Sequence, residues 1–138
     1  WATQAEGSAS LPVGTIRDNP HADSDNDGLS NLLEYAFGTW PVHRDTSPEV
    51  FPNSQVAVRN NVKCLVLRYQ RDKTRTDVTL VPIACPTMTN WKTPGTSGAP
   101  AGFTDTLVST AGDIETREAV LPVSNGPSCF LRLRAHLP

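Results

Sequence analysis

The chain has 138 residues, 38% of them apolar and 19% charged, with twelve Lys and Arg against fourteen Asp and Glu. This length supports a single folded domain with a real core and leaves no room for a second large one. The near-balance of charge removes the broad basic surface that nucleic-acid binding needs, and the apolar runs are far too short for a membrane span.

The charge is unevenly placed. Five acidic residues (Asp18, Asp23, Asp25, Asp27 and Glu34) fall between positions 18 and 34 with no Lys or Arg after Arg17, while the chain from Arg44 onward carries eleven basic and eight acidic residues. Carboxylates crowded together repel unless something positive lies between them. The acidic focus therefore predicts a counter-ion.

The chain begins at Trp1 without an initiator Met or a charged-then-apolar leader, a start expected of a mature or excised piece of a longer precursor. Residues 1 to 17 show no clear periodicity and read as a linker or N-terminal arm. Residues 18 to 41 read as a calcium loop and short helix. Leu29, Leu32, Leu33, Ala36 and Phe37 form one apolar helical face, stopped by Gly38 and then Pro41. From residue 42 to 138 the period changes. The runs SQVAVRN, VKCLVLRYQ, DVTLVPIAC, FTDTLVST, IETREAVLP and CFLRLRA predict about six short strands, the second and third joined as a hairpin through RDKTRT. The fold class expected is mainly β: an antiparallel β-sandwich preceded by the calcium loop-helix element.

The run from Asp23 to Glu34 matches a twelve-residue calcium loop of EF-hand type. Asp23, Asp25 and Asp27 occupy positions one, three and five, and Gly28 at six permits the turn. The main-chain carbonyl of Leu29 serves position seven, Asn31 stands at nine, and Glu34 at twelve can offer two oxygens. The set suits Ca²⁺ better than Mg²⁺, which holds its water and resists high coordination numbers. The competing reading is a solvated Asp/Asn turn that caps a helix at Asp27 or Ser30. Without an incoming helix, and with Ser30 where paired EF-hands carry an aliphatic residue, a structural site is expected rather than a calcium sensor.

The segment DSDNDGLSNLLEYAFGTWP resembles the DxDxDGxxNxxEyxxGTdP element of secreted bacterial proteins, similar to single dockerin loops and thrombospondin type 3 repeats. The pieces that follow resemble the C-terminal β-domain of verrucomicrobial and planctomycete surface or exported proteins. LVLRYQRD comes first, then VTLVPIACPTMTNWKT in place of VevSsDLxxW, then CFLRLRA in place of rFLRLxV. The likeness covers residues 18 to 135. Trp40 departs from the Asp common after GT, and Cys85 and Cys129 from the residues usual at their positions. The resemblance implies a non-catalytic extracellular module, and the role expected of the chain is that of a secreted or cell-surface structural and interaction module working through protein contacts.

If Cys85 shares a strand face with Val81 and Ile83, and Cys129 with Leu131 and Leu133, both point to the core, and a Cys85–Cys129 disulfide is predicted. Cys64–Cys85 and three buried thiols are the alternatives. His21, His43 and His136 are scattered, and no nucleophile or metalloprotease motif occurs, so no catalytic residue is expected; Asp113, Glu115 and Glu118 read as an exposed strand face. Two other functions stay open. A self-assembling subunit of an extracellular filament or surface layer would join copies of itself through the arm or a strand edge. A carbohydrate-binding module would use Trp1, Trp40 or Trp91 against a glycan.

Overall fold

The computed structural model describes residues 1–123 and 129–138. Two short helices, α1 (Ala2–Ser8) and α2 (Asn31–Phe37), precede six strands: β1 (Asn53–Arg59), β2 (Val62–Asp72), β3 (Thr79–Cys85), β4 (Thr104–Ala111), β5 (Ile114–Pro122) and β6 (Phe130–His136). The fold is mainly β, with two antiparallel sheets ordered β1-β2-β5-β4 and β3-β6. No helix among the described residues is long and apolar enough to cross a membrane.

Side chains alternate across each strand, so one face of each sheet can be apolar. On the larger sheet Leu67 and Tyr69 of β2 and Ala119 and Leu121 of β5 turn inward. They meet Leu80 and Ala84 of β3, with Leu131, Leu133 and Ala135 of β6 at the margin of the same core. Phe37 and Ala36 of α2, fully buried, enter it from the side of the acidic loop.

All six expected strands form, but β2 and β3 are not a hairpin. β2 is already paired along both edges, by β1 and by β5, so β3 has no edge of it to join. The chain between them arches to the other sheet instead. Asp72 holds this arch by accepting from the Thr74 amide and hydroxyl at 2.9 and 2.6 Å, and the Lys73 amide donates to the Asp113 carbonyl at 2.9 Å. The true hairpins are β1–β2, turned by Asn60 and Asn61 with φ of 50° and 61°, and β4–β5, turned at Gly112 and Asp113. Asn tolerates the left-handed backbone such two-residue turns require.

The expected Cys85–Cys129 disulfide does not form, and there is none among the described residues. In the β3–β6 register Cys85 lies opposite Phe130, while Ala84 lies opposite Leu131. Directly opposed residues share a face, so Leu80, Pro82 and Ala84 look into the core and Cys85 looks away from it. Cys129, one residue before Phe130, packs against the core side. The two sulfurs thus sit on opposite faces of one ribbon. Burial pushes the Cys85 thiol up, yet the backbone amides of Thr87, Asn90, Met88 and Thr89 outweigh it and hold the thiol below its usual range. Cys64 belongs to the other sheet and donates to its own strand at the Val62 carbonyl.

The N-terminal segment is more ordered than its composition predicts. It carries α1, whose Ala5 and Glu6 are buried. The Glu6 carboxylate accepts from the amides of Gly14, Ile16 and Arg17 at 3.0, 2.8 and 3.1 Å, closing the following turns over α1. Trp1 packs against Tyr35 of α2 with ring centroids 5.0 Å apart and planes tilted by 60°, and donates from its indole to the Thr39 carbonyl. Burial raises the Glu6 carboxyl, but the three amides outweigh it and leave it below the usual carboxylate range. A depressed acid stabilises the fold above its unfolded value and loses that contribution as pH falls through its folded value. The protection factors of the Gly14 and Ile16 amides, taken against the intrinsic exchange rate at each pH, are therefore expected to fall selectively in acid, and Glu6→Ala to lower them in the same way at neutral pH. Truncating the fully buried Phe37 to Ala is expected to cost about 3–5 kcal/mol in urea unfolding.

Candidate metal centre

The loop from Asp23 turns on two left-handed residues, Asn26 at φ 59° and Gly28 at φ 101°. Asp23 organises it by accepting from the Asp27 and Gly28 amides at 3.2 and 2.9 Å. Asp27 accepts from the Leu29 amide at 2.8 Å. Leu29 then drops its side chain into the core, which fixes its main chain at position seven. Ser30 caps α2 by accepting from the Leu33 amide, and the left-handed Gly38 ends it while its amide bonds the Glu34 and Tyr35 carbonyls. A Cβ at Gly38 would lie 2.7 Å from the Ile114 side chain and 3.0 Å from Asp72. Only glycine permits this sharp exit against the sheet.

These turns place the acids around one point. Oxygens of Asp23, Asp25 and Asp27 lie within 4.8 Å of one another, as do those of Asp27, Glu34 and Asp45. Asp27 belongs to both groups and so joins them. Glu34 is wholly buried on α2, and both of its oxygens, both of Asp25 and Oδ2 of Asp45 have no hydrogen-bond partner. A buried carboxylate without a donor is costly, and here several share one pocket. Asn31, the first residue of α2, donates its amide to the Asn19 carbonyl at 2.9 Å and leaves its own Oδ1 unpartnered.

The electrostatics follow from this packing. Burial first, then the charges of Asp25, Asp27, Asp45 and Asp23, push the Glu34 carboxyl up to about 8. Burial and the Asp27 charge also raise Asp25. Burial raises Asp45 against the pull of the Thr39 hydroxyl, with Asp27 adding to the rise. Asp23 goes the other way, because the amides of Gly28, Asp27 and Asn26 outweigh its burial. Asp23 and Asp27 thus take backbone amides, while Asp25, Glu34 and Oδ2 of Asp45 are left facing each other.

Asp45 was not legible as a site residue. It lies eleven residues beyond Glu34, outside the twelve-residue pattern. The chain returns there because Gly38 reverses it and buried Pro41 pins it. The Asp45 amide donates to Asp27 Oδ2 at 2.8 Å, and the Arg44 guanidinium donates to the Asn26 carbonyl. The only sequence signal was that Asp45 is the next acidic residue after Glu34. No helix leads directly into the loop, as the sequence predicts.

Comparison with protein-family models, with curated proteins and with solved structures found no match to this chain. The other residues considered for chemistry are engaged elsewhere. Glu115 pairs with Arg71 at 2.6 Å and with Arg117, and Glu118 with Arg59 and Arg68. His21, His43 and His136 are each exposed and far apart in sequence.

Glu34→Gln keeps the shape and removes the most strongly opposed charge. A carboxyl whose pKa is raised in the fold loses stability as pH climbs from the unfolded value to the folded one. In the presence of a chelator at neutral pH, Glu34→Gln is therefore expected to melt higher than the parent chain, read by circular dichroism.

Proposed function

We propose that this chain is a calcium-stabilised, non-catalytic structural and interaction module of a secreted or cell-surface bacterial protein. The observation that carries the reading is the set of buried oxygens without a hydrogen-bond partner, both of Asp25, both of Glu34 and Oδ2 of Asp45, packed around Asp27. Every side chain offered is a hard oxygen donor and no His or Cys joins them, which favours Ca²⁺ or Mg²⁺ over zinc or copper. The count of carboxylates, with a Glu free to give two oxygens, favours the larger ion.

Bound there, Ca²⁺ supplies the positive charge the pocket lacks. The residues themselves do the structural work. Asp23, Asp25 and Asp27 hold the loop, Glu34 holds α2, and Asp45 holds the returning chain. Since α2 also inserts Phe37 into the core and accepts a bond from Gln70 of β2 at its Phe37 carbonyl, closing this site steadies one end of the sandwich. The resemblance of the loop to an element of exported bacterial proteins supports the extracellular setting, where a weak site stays filled.

Sites of extracellular modules bind at about 10⁻⁴–10⁻³ M. At about 10 mM Ca²⁺ this stabilises the fold by roughly 1.4–2.7 kcal/mol, an upward Tm shift of about 5–10 °C for a domain of this size. Differential scanning calorimetry in Ca²⁺ against chelator reads it directly, and equal melting in the two would overturn the reading. Asp45→Asn is expected to weaken Ca²⁺ binding about tenfold, or about 1.4 kcal/mol, in isothermal titration, while Glu34→Gln abolishes it.

A further inference from the structure

The edges of the two sheets are unequally guarded. β4 breaks its register with a bulge between Leu107 and Ser109. The free side of β3 carries Pro82 and is bridged near its end by Lys92, whose backbone exchanges two bonds of 2.9 Å with Ala84. β6 exposes Arg132, Arg134 and His136 in alternation. These are the bulges, covers and charges that keep sheet edges from pairing. Among the described residues β1, Asn-Ser-Gln-Val-Ala-Val-Arg, has none of them: its register is unbroken, it contains no Pro or Lys, and its single charge, Arg59, is drawn back to Glu118 at 3.4 Å.

β1 also carries an apolar pair that the fold leaves open. Val56 lies opposite Leu65, which lies opposite the core residue Leu121, so Val56 and Val58 belong to the inner face of the large sheet. The two-stranded sheet does not reach that far, and they remain 59% and 67% exposed.

We propose that β1 pairs antiparallel with β1 of a second copy, extending the four-stranded sheet into a continuous eight-stranded one. The phase of the hairpin decides the register. In a two-residue hairpin the closing pair, here Arg59 and Val62, exchanges both backbone bonds, and such pairs then alternate. Odd positions of β1 therefore bond to β2, and Ser54, Val56 and Val58 direct their amides and carbonyls outward. A two-fold axis through Ala57 sets Val56 against the partner's Val58 and Val58 against the partner's Val56. Both pairs share backbone bonds, and the four valines form one apolar cluster. Gln55 then faces the partner's Arg59, so no like charges are opposed. The strand is complementary to itself, and this pairing does not depend on the calcium site.

Sedimentation equilibrium of the full chain up to about 1 mM is expected to approach twice the 14.9 kDa of one copy. Val58→Glu puts a carboxylate opposite Lys63 within the hairpin, which suits the single copy, but crowds two carboxylates into the paired strands; it is expected to sediment as one copy. Ala57→Cys, made together with Cys64→Ser because Cys64 lies opposite Ala57 within the hairpin, places two sulfurs in a directly opposed, non-hydrogen-bonded pair with Cα atoms about 4.5 Å apart and is expected to give a disulfide-linked dimer on mild oxidation. Ser54→Cys, whose copies lie about 20 Å apart in this register, is not. A parent chain that stays a single copy at the highest concentration, a dimer indifferent to Val58→Glu, or a dimer that Ala57→Cys fails to link would each overturn the proposal. Melting unaffected by Ca²⁺ would sink the calcium reading and leave this one standing.

Discussion

Five carboxylates, from Asp23, Asp25, Asp27, Glu34 and Asp45, gather in one pocket beneath a seven-residue helix, and the N-terminal third of the protein is arranged around their mutual repulsion. Asp23 and Asp27 are answered by backbone amides. Glu34, deepest of the five, has no donor and is pushed up to about 8 by burial and by its neighbours. A helix this short has little intrinsic stability. What holds α2 in place is its two ends and its apolar face: the Ser30 cap, the Gly38 exit, Phe37 in the core and Tyr35 wedged between Trp1 and the β2–β3 arch, where its hydroxyl donates to Asp77 at 2.7 Å. The acidic pocket is thus part of the scaffold, and neutralising it changes how firmly the loop, the helix and the core are joined.

The sandwich depends on a second constraint, the saturation of β2. With β1 on one side and β5 on the other, the longest strand cannot accept its sequence neighbour β3. The chain must cross to the opposite layer, and Asp72 supplies the hydrogen bonds that let it do so. The consequence is an uneven sandwich, four strands against two. The small sheet covers Leu67, Tyr69, Ala119 and Leu121 but stops short of Val56 and Val58. A core large enough for one chain therefore coexists with an uncovered, charge-poor edge.

Strands were legible because their apolar residues alternate within runs bounded by Gly, Pro, Asn or Asp, and all six appear where those runs lie. Helix α2 was legible for the same reason at a different period. Helix α1 was not, since Ala2–Ser8 has no apolar stripe; its order comes from Glu6 reaching forward to three amides and Trp1 reaching Tyr35. The cysteine prediction failed by one residue of register. In a run such as VTLVPIAC both alternate sets are apolar, so composition leaves the inward face undecided, and the pairing of Cys85 with Phe130 settles it.

The acidic loop from Asp23 to Glu34 was legible as a pattern because its features are local: acids at fixed offsets along the chain, a glycine where the backbone must turn left-handed, and an acid one helical turn inside α2. Sequence alone determined that pattern, the strand positions and the uneven charge. Tertiary structure decided which strands share a sheet, which face each cysteine takes, and that Asp45 returns to the pocket after the Gly38 reversal. Those outcomes depend on edges already occupied and on chain reversals far from the residues concerned. Such contacts have no period and no spacing, and they exist only once the backbone has been folded against itself.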